Sequence, residues 1–268
     1  MITLLVDAAA FDAPEVRIDG EPYRHLFRAR RVEAGEELRI VDGKGRARWG
    51  RVARVDRTSA TVALGEPAPP REPAFQLALL VPTCRPERAS WLVEKATEVG
   101  VFAVRFLNTA RAPRDFGTGA RERLRRVAAA AVEQCHRSRL PEITGPHAWS
   151  ELGRLAGTSG SCWFLDPEGD SVGAALRGRP GGEGALEVPS EQGGHIGPPL
   201  QDSASGVLLV GPEGGLAPEE RRDLLDGDWI PLGLGERVLR LETAAVVGAA
   251  LILLSPSGIQ SPKSEIPN

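Results

Sequence analysis

The rhythm of apolar and polar positions changes near residue 70. Between residues 38 and 64 the apolar positions come in short runs, 38–41, 48–55 and 60–64, with Asp42-Gly43-Lys44-Gly45 between the first two. Alternation interrupted by an Asp-Gly turn predicts a small antiparallel sheet or barrel. Residues 65–73 then hold four prolines in nine positions, which block both helix and central strand and read as a linker. Beyond it the apolar runs are continuous, at 75–81, 101–107, 162–165, 207–210 and 229–232. Such runs alternating with helical stretches predict a mainly parallel sheet covered on both faces.

Two of those helical stretches are well marked. Pro86–Val99 starts on a proline, aligns Leu92, Ala96 and Val99, and stops at Gly100, a residue suited to a left-handed cap. Residues 120–138 place Leu124, Val127, Ala128, Ala131 and Cys135 on one stripe and leave Arg121, Arg125 and Arg126 outside. Residues 170–206 have no apolar period and read as a loop insertion, and 256–268 as a flexible tail. The expected division is therefore 1–70 and 71–268.

Composition adds little beyond a soluble globular class, with 41% hydrophobic and 26% charged residues in 268. The longest apolar run, residues 244–254, is too short for a bilayer that needs ~20 residues, so no membrane span is expected. Cys84, Cys135 and Cys162 make no metal-ligand spacing or disulfide framework. A reducing compartment and no metal are the expectations. Charge is more informative. The net −3 hides 11 basic against 5 acidic residues over 23–57 and 12 against 6 over 73–139, with 8 against 18 over 140–268. Two basic segments in an acidic chain suggest a polyanion-binding face.

The strongest local chemistry is the run 207–216, a buried strand entering Gly211-Pro212-Glu213-Gly214-Gly215. Glycines at the carboxyl end of such a strand let a ligand approach the backbone, although a plain strand–turn–helix connection into Pro218-Glu219-Glu220 also accounts for much of it. No Gly-Lys-Ser/Thr follows, so it is not a Walker loop. The second signal is Leu232-Gly233-Leu-Gly-Glu-Arg237-Val238-Leu239-Arg240-Leu-Glu242-Thr243. It lacks the third glycine of a dinucleotide fingerprint; Glu242 or Thr243 suits a helix cap, and the arginines ahead of an apolar helix suggest a pocket wall.

Taken in order, Tyr23-Arg-His25-Leu with Arg31 and Gly35, Trp91-Leu-Val-Glu-Lys95-Ala-Thr-Glu98-Val-Gly100, Glu133-Gln134-Cys-His-Arg137, Gly211-Pro-Glu-Gly-Gly215, and Arg237-Val-Leu-Arg240-Leu-Glu242-Thr243 resemble the ribosomal RNA small subunit methyltransferase E family. The resemblance implies an α/β protein with an N-terminal PUA-like β-barrel and a C-terminal SPOUT domain whose last strands and helix form a deep trefoil knot. It implies a cytoplasmic homodimer that uses S-adenosylmethionine to methylate N3 of a uridine in 16S rRNA of the small ribosomal subunit.

Gly211, Pro212, Glu213, Gly214, Gly215, Leu232, Gly233, Val238, Leu239 and Thr243 would then wall the cofactor. His25, Arg28, Arg31, Lys95, Arg111 and Arg137 would face RNA across both domains. Arg240 would offset charge developing on the uracil, and Glu213 or Glu242 would be the base. Two departures from the family pattern stand at Arg30 and Ala110. The rival readings are a non-catalytic RNA-binding or ribosome-assembly factor and another SPOUT RNA methyltransferase. A ribose 2′-O enzyme is disfavoured, because neither Asn108 nor Asn268 begins the Asn-x-Gly-x-x-x-Arg motif those enzymes share.

Overall fold

The computed structural model describes residues 1–112, 116–157, 160–172 and 205–254. Most of the insertion expected at 170–206 and all of the tail expected at 256–268 lie outside the described residues. The chain forms two compact units, one of residues 1–72 with 126–140, the other of 73–125 with 141–268.

The first unit is a five-stranded sheet in the order β1-β3-β4-β5-β2, built from β1 (Thr3–Leu5), β2 (Glu15–Asp19), β3 (Glu37–Val41), β4 (Ala47–Val55) and β5 (Ser59–Pro67). Pairing is antiparallel except between β1 and β3. The β4–β5 register shifts twice, between Arg48 and Gly50 and between Val52 and Arg54. Bulges of this kind bend a sheet and increase its twist. Gly50 sits at one of them, where a Cβ would lie 2.7 Å from Val62 Cγ1 and 2.8 Å from Ile40 Cγ1. The result is a curled half-barrel whose edges, β1 and β2, do not pair with each other.

Leu38, Ile40, Val52, Ala60 and Val62 fill the inside of the curl. Two short helices, α1 (Ala8–Phe11) and α2 (Gly20–Tyr23), add Phe11 and Tyr23, and a π-helical turn over Arg24–Ala29 adds Leu26 and Phe27. Tyr23 stacks on Phe27 at 5.5 Å, and its hydroxyl donates to the Asp56 carbonyl at 2.6 Å.

The turn signals located β3, β4 and β5, but β1, β2 and the π-helical turn were not predicted, although Asp19-Gly20 punctuates the end of β2. The expected linker also starts later than its prolines suggested. β5 runs through Pro67, which pairs with Arg48 near the strand end, where a missing donor is tolerated.

The second unit is an all-parallel six-stranded sheet, β11-β9-β10-β6-β7-β8, of β6 (Gln76–Pro82), β7 (Ala103–Leu107), β8 (Glu142–His147), β9 (Ser161–Ser171), β10 (Ser205–Leu209) and β11 (Ile230–Gly233). Each predicted apolar run became a strand, and β8 was missed because Glu142 to His147 is mostly polar and only Ile143 is fully buried. Leu80, Leu107, Phe164 and Leu209 form one face of the core with Leu152 and Leu155 of α5 (Leu152–Ala156) and Leu224 of α6 (Pro218–Asp226).

Helix α3 (Pro86–Val99) packs against α7 (Leu241–Leu253), and α7 lies on β6. α3 ends as expected at Gly100, with φ of 102°. Helix α4 (Ala120–Cys135) stops three residues short of its predicted end, because His136 takes a left-handed φ of 63°. Its arginines Arg121, Arg125 and Arg126 are exposed as the stripe required. Among the described residues no helix is long and apolar enough to cross a membrane.

Candidate active site

Strands β9, β10 and β11 run the same way, as parallel strands must, and β9 with the connections leaving β10 and β11 lines a cleft of about 890 Å³. That volume falls in the ~300–1,000 Å³ range of sites enclosing a small ligand. Its walls come from Leu165 to Glu168 in β9, Val210 to Glu213 with Gly215 and Leu216 after β10, and Leu232 with Leu234 to Leu239 from β11 onward. Leu165, Leu216, Leu232 and Leu239 give it an apolar interior, and charged residues of both signs, among them Asp166, Glu168, Glu236, Arg221 and Arg237, complete the lining. An adenosine-based ligand suits this mixture: its purine can take the apolar walls and its polar edges the glycine-loop backbone.

The loop is held from three directions. Gly215 has φ of 72°, which an L side chain adopts only at a cost. Arg111 donates from Nη1 to the Gly214 carbonyl at 2.6 Å. Glu220 of α6 is buried and accepts from the backbone N–H groups of Ala217 at 2.8 Å and Ala110 at 2.7 Å. Ala110 therefore serves through its backbone. Across the cleft, Arg221 joins Asp166 at 2.6 Å and Glu168 at 3.1 Å, fixing the β9 wall to α6.

A second cleft of about 530 Å³ shares Pro212, Glu213 and Leu241 with the first and is otherwise lined by Thr83, Cys84, Arg85, Arg88 and Arg240. Arg88 is its organising residue. Its guanidinium donates from Nε to Glu242 Oε2 at 2.9 Å, and it also pairs with Glu213 of the glycine loop. Burial alone would raise the Glu242 carboxyl, yet the Arg88 hydrogen bond, the backbone N–H of Glu242 and the charges of Arg88 and Arg240 more than offset it and hold it below the usual carboxylate range. Those two acids hold the Arg88 guanidinium protonated, its Glu242 hydrogen bond most of all. Burial pushes the Cys84 thiol up to about 11, with the two glutamates adding to the rise against Arg88, so it is no nucleophile at neutral pH.

The expected cofactor residues divide in this geometry. Gly211, Pro212, Glu213, Gly215, Leu232, Val238 and Leu239 line the large cleft, and Val238 is 98% exposed at its mouth. Gly233 is buried and belongs to the packing: a Cβ there would lie 2.6 Å from the Gly169 carbonyl oxygen. Gly214 lies against Arg111, and Thr243 is inside the first turn of α7 rather than among the lining residues. Neither Thr243 nor Glu242 caps α7. The N-cap is Arg240, which makes no side-chain cap bond, and it reaches the second cleft as expected of a pocket wall.

The residues expected to face RNA also divide. His25, Arg28 and Arg31 are exposed on the first unit, with Arg28 donating to the Arg57 carbonyl at 2.8 Å. Arg111 is exposed but engaged with the glycine loop. Lys95 lies between Glu94 and Glu98, both at 2.8 Å. Arg137 is 3% exposed and paired with Glu72 at 2.6 Å, while Glu72 also accepts from the N–H groups of Ser138 and Arg139. Burial gives Arg137 a structural role within its unit and removes it from the RNA-facing set.

Sequence reasoning missed Arg85, Arg88, Arg221, Asp166 and Glu220. The rule that ligands lie beyond the carboxyl ends of parallel strands was applied to β10 but not to β6, where Arg85-Pro86-Glu87-Arg88 follows directly. Among the described residues no cluster of three or more His, Cys, Asp or Glu could hold a metal ion.

A family model for an RNA methyltransferase domain matches residues 70–253, and a second, for an RNA methyltransferase PUA domain, matches 18–64. The chain belongs to the RNA methyltransferase domain family. This RNA methyltransferase is 30% identical over 251 residues to the ribosomal RNA small subunit methyltransferase E of Mycobacterium bovis, covering 89% of this chain and 86% of that one. Its fold matches that of the enzyme of the same name from Neisseria gonorrhoeae, solved bound to S-adenosylmethionine, with a TM-score of 0.73, 20% identity, and 94% and 96% of the two chains covered. A Legionella pneumophila protein solved with bound S-adenosylmethionine matches with a TM-score of 0.69, 24% identity, and 93% and 94% covered.

Proposed function

We propose that this RNA methyltransferase transfers a methyl group from S-adenosylmethionine to N3 of a uridine in 16S rRNA of the small ribosomal subunit, and does so as a cytoplasmic homodimer. The observation that carries the reading is the pair of clefts sharing Pro212, Glu213 and Leu241: one with an apolar interior beside the glycine loop, the other lined by three arginines. A donor and an acceptor must meet, and a shared wall is where they can. When bound in the larger cleft, S-adenosylmethionine supplies an electrophilic methyl on a sulfonium.

The chain's own residues do the rest. Uracil N3 carries a proton near neutral pH, and its loss spreads negative charge over O2 and O4. Arg240, exposed on the second cleft, brings a guanidinium that offsets that charge as it forms. Of the two acids, Glu213 lines both clefts and Glu242 lines neither. Glu213 is therefore the acceptor of the N3 proton, and Glu242 holds Arg88 in place. Positioning within these walls supplies most of the rate.

Helix α7 supports the homodimer. It is apolar on every side after Thr243, and such a helix is normally covered all round. Val247, Leu251 and Leu254 nevertheless remain exposed, as does Trp91 on the neighbouring α3. A second copy of the chain covers this stripe. The fold proposed for the second unit is the knotted SPOUT arrangement.

The test is incubation with labelled S-adenosylmethionine and either unmethylated small subunits or large subunits. Label in small-subunit RNA alone supports the reading. Label in no RNA overturns it in favour of a non-catalytic assembly factor.

A further inference from the structure

We infer that the second cleft is the acceptor-nucleotide subsite and that Arg85 is its phosphate-binding residue. The inference rests on the proposed RNA methyl transfer and names where the acceptor sits. Three guanidinium groups, of Arg85, Arg88 and Arg240, line the cleft against one acid, Glu213. Arg88 is already committed to Glu213 and Glu242. Arg85 and Arg240 make no salt bridge among the described residues, although the charge of Arg240 acts on Glu242, so the cleft keeps two guanidinium groups outside any ion pair.

The backbone adds to that field. Arg85 is the N-cap of the 14-residue α3 and Arg240 the N-cap of the 13-residue α7, and neither helix has a side-chain cap. Two helix starts bring partial positive charge to one cavity, which adds to the field of the arginines and suits an oxyanion. With about 530 Å³ the cleft has room for a nucleotide, which an enzyme acting on a base must take out of its stack.

Arg240 lies at the N-cap of the helix that follows the cofactor wall, so it is placed for the uracil oxygens. Arg85 follows Thr83 and Cys84 at the end of β6, so it takes the flanking phosphate. Arg88, held by its two acids, is a positioning residue that keeps the glycine loop as the partition between donor and acceptor.

The experiment compares the full-length wild type with Arg85→Ala and Arg85→Lys. It measures methyl transfer to unmethylated small subunits, the salt dependence of RNA affinity, S-adenosylmethionine affinity by calorimetry, and thermal stability. Arg85→Ala is expected to raise the KM for RNA about tenfold, to lower the slope of log affinity against log salt by ~0.7–0.9, the value of one lost phosphate contact, and to leave cofactor affinity and Tm unchanged. Arg85→Lys should recover most of the slope. Wild-type transfer with an unchanged salt slope in Arg85→Ala would overturn the subsite while leaving the proposed function intact. Absence of any RNA labelling by the wild type would overturn the function, and the subsite with it.

Discussion

Arg88 Nε lies 2.9 Å from Glu242 Oε2, joining the first turn of one core helix to the first turn of another, 154 residues later in the chain. The Glu242 carboxylate is only 11% exposed, whereas the Arg88 side chain is 28% exposed. Removing Arg88 would strand a mostly buried charge. A fully buried broken pair costs ~3–5 kcal/mol, and the partial exposure here reduces the expected loss for Arg88→Met to about 2 kcal/mol. Urea denaturation at pH 7 measures it; a loss below about 0.5 kcal/mol would show that the pair is a solvated surface contact.

The same pair sets a pH dependence. Glu242 is held below the ordinary glutamate value of 4.5, its burial being more than offset chiefly by Arg88. A depressed carboxyl contributes stability that is fully present above the unfolded pKa and is lost as pH falls through the lower folded value. The difference in stability between wild type and Glu242→Gln should therefore be constant from pH 7 to about 5 and shrink below about pH 4. Denaturation curves across that range check it, and a difference that grows with acidity would contradict the assignment.

Arg240→Ala should lower kcat by ~10²–10³ while changing S-adenosylmethionine affinity less than threefold, the behaviour of a group that acts on developing charge. Single-turnover kinetics and calorimetry separate the two. Equal losses in both would make Arg240 a cofactor-binding residue.

Two glycines expected from the sequence to wall the cofactor, Gly233 and Gly214, should respond differently. A Cβ at Gly233 would meet the Gly169 carbonyl oxygen at 2.6 Å, whereas at Gly214 the nearest atom is Arg111 Cδ at 3.6 Å. Gly233→Ala should destabilise by roughly 1–3 kcal/mol and weaken cofactor binding as the β11 wall shifts, and Gly214→Ala should leave both nearly unchanged. Melting curves with and without S-adenosylmethionine distinguish them.

Arg137 gives a contrast between structure and recognition. Its pair with Glu72 is buried on both sides, at 4% and 8% side-chain exposure, so Arg137→Met should cost ~3–5 kcal/mol. It should leave the salt slope of RNA binding unchanged. Loss of RNA affinity at full stability would return Arg137 to the RNA-facing surface.

Periodicity revealed the elements with strong local signatures: the buried parallel strands, α3 with its proline start and glycine stop, and the hairpin strands marked by Asp-Gly. It did not reveal β1, β2 or β8, whose pairing depends on distant partners such as the β3 residues facing Thr3 and Leu5. The glycine loop was legible because glycine reports on backbone directly. Arg88 was not, because its role depends on Glu213 and Glu242, which lie more than 120 residues away in sequence. Arg137 misled for the complementary reason: an arginine in a basic segment looks solvent-facing until Glu72 is placed beside it.

The central claim is that the transferred methyl ends on uracil N3. Its most direct test is nucleoside mass spectrometry of small-subunit RNA, isolated before and after treatment with the protein and S-adenosylmethionine. A new 3-methyluridine, with no gain in any ribose-methylated nucleoside, is the expected result. Methylation of a ribose or of another base, with 3-methyluridine absent, would contradict the account.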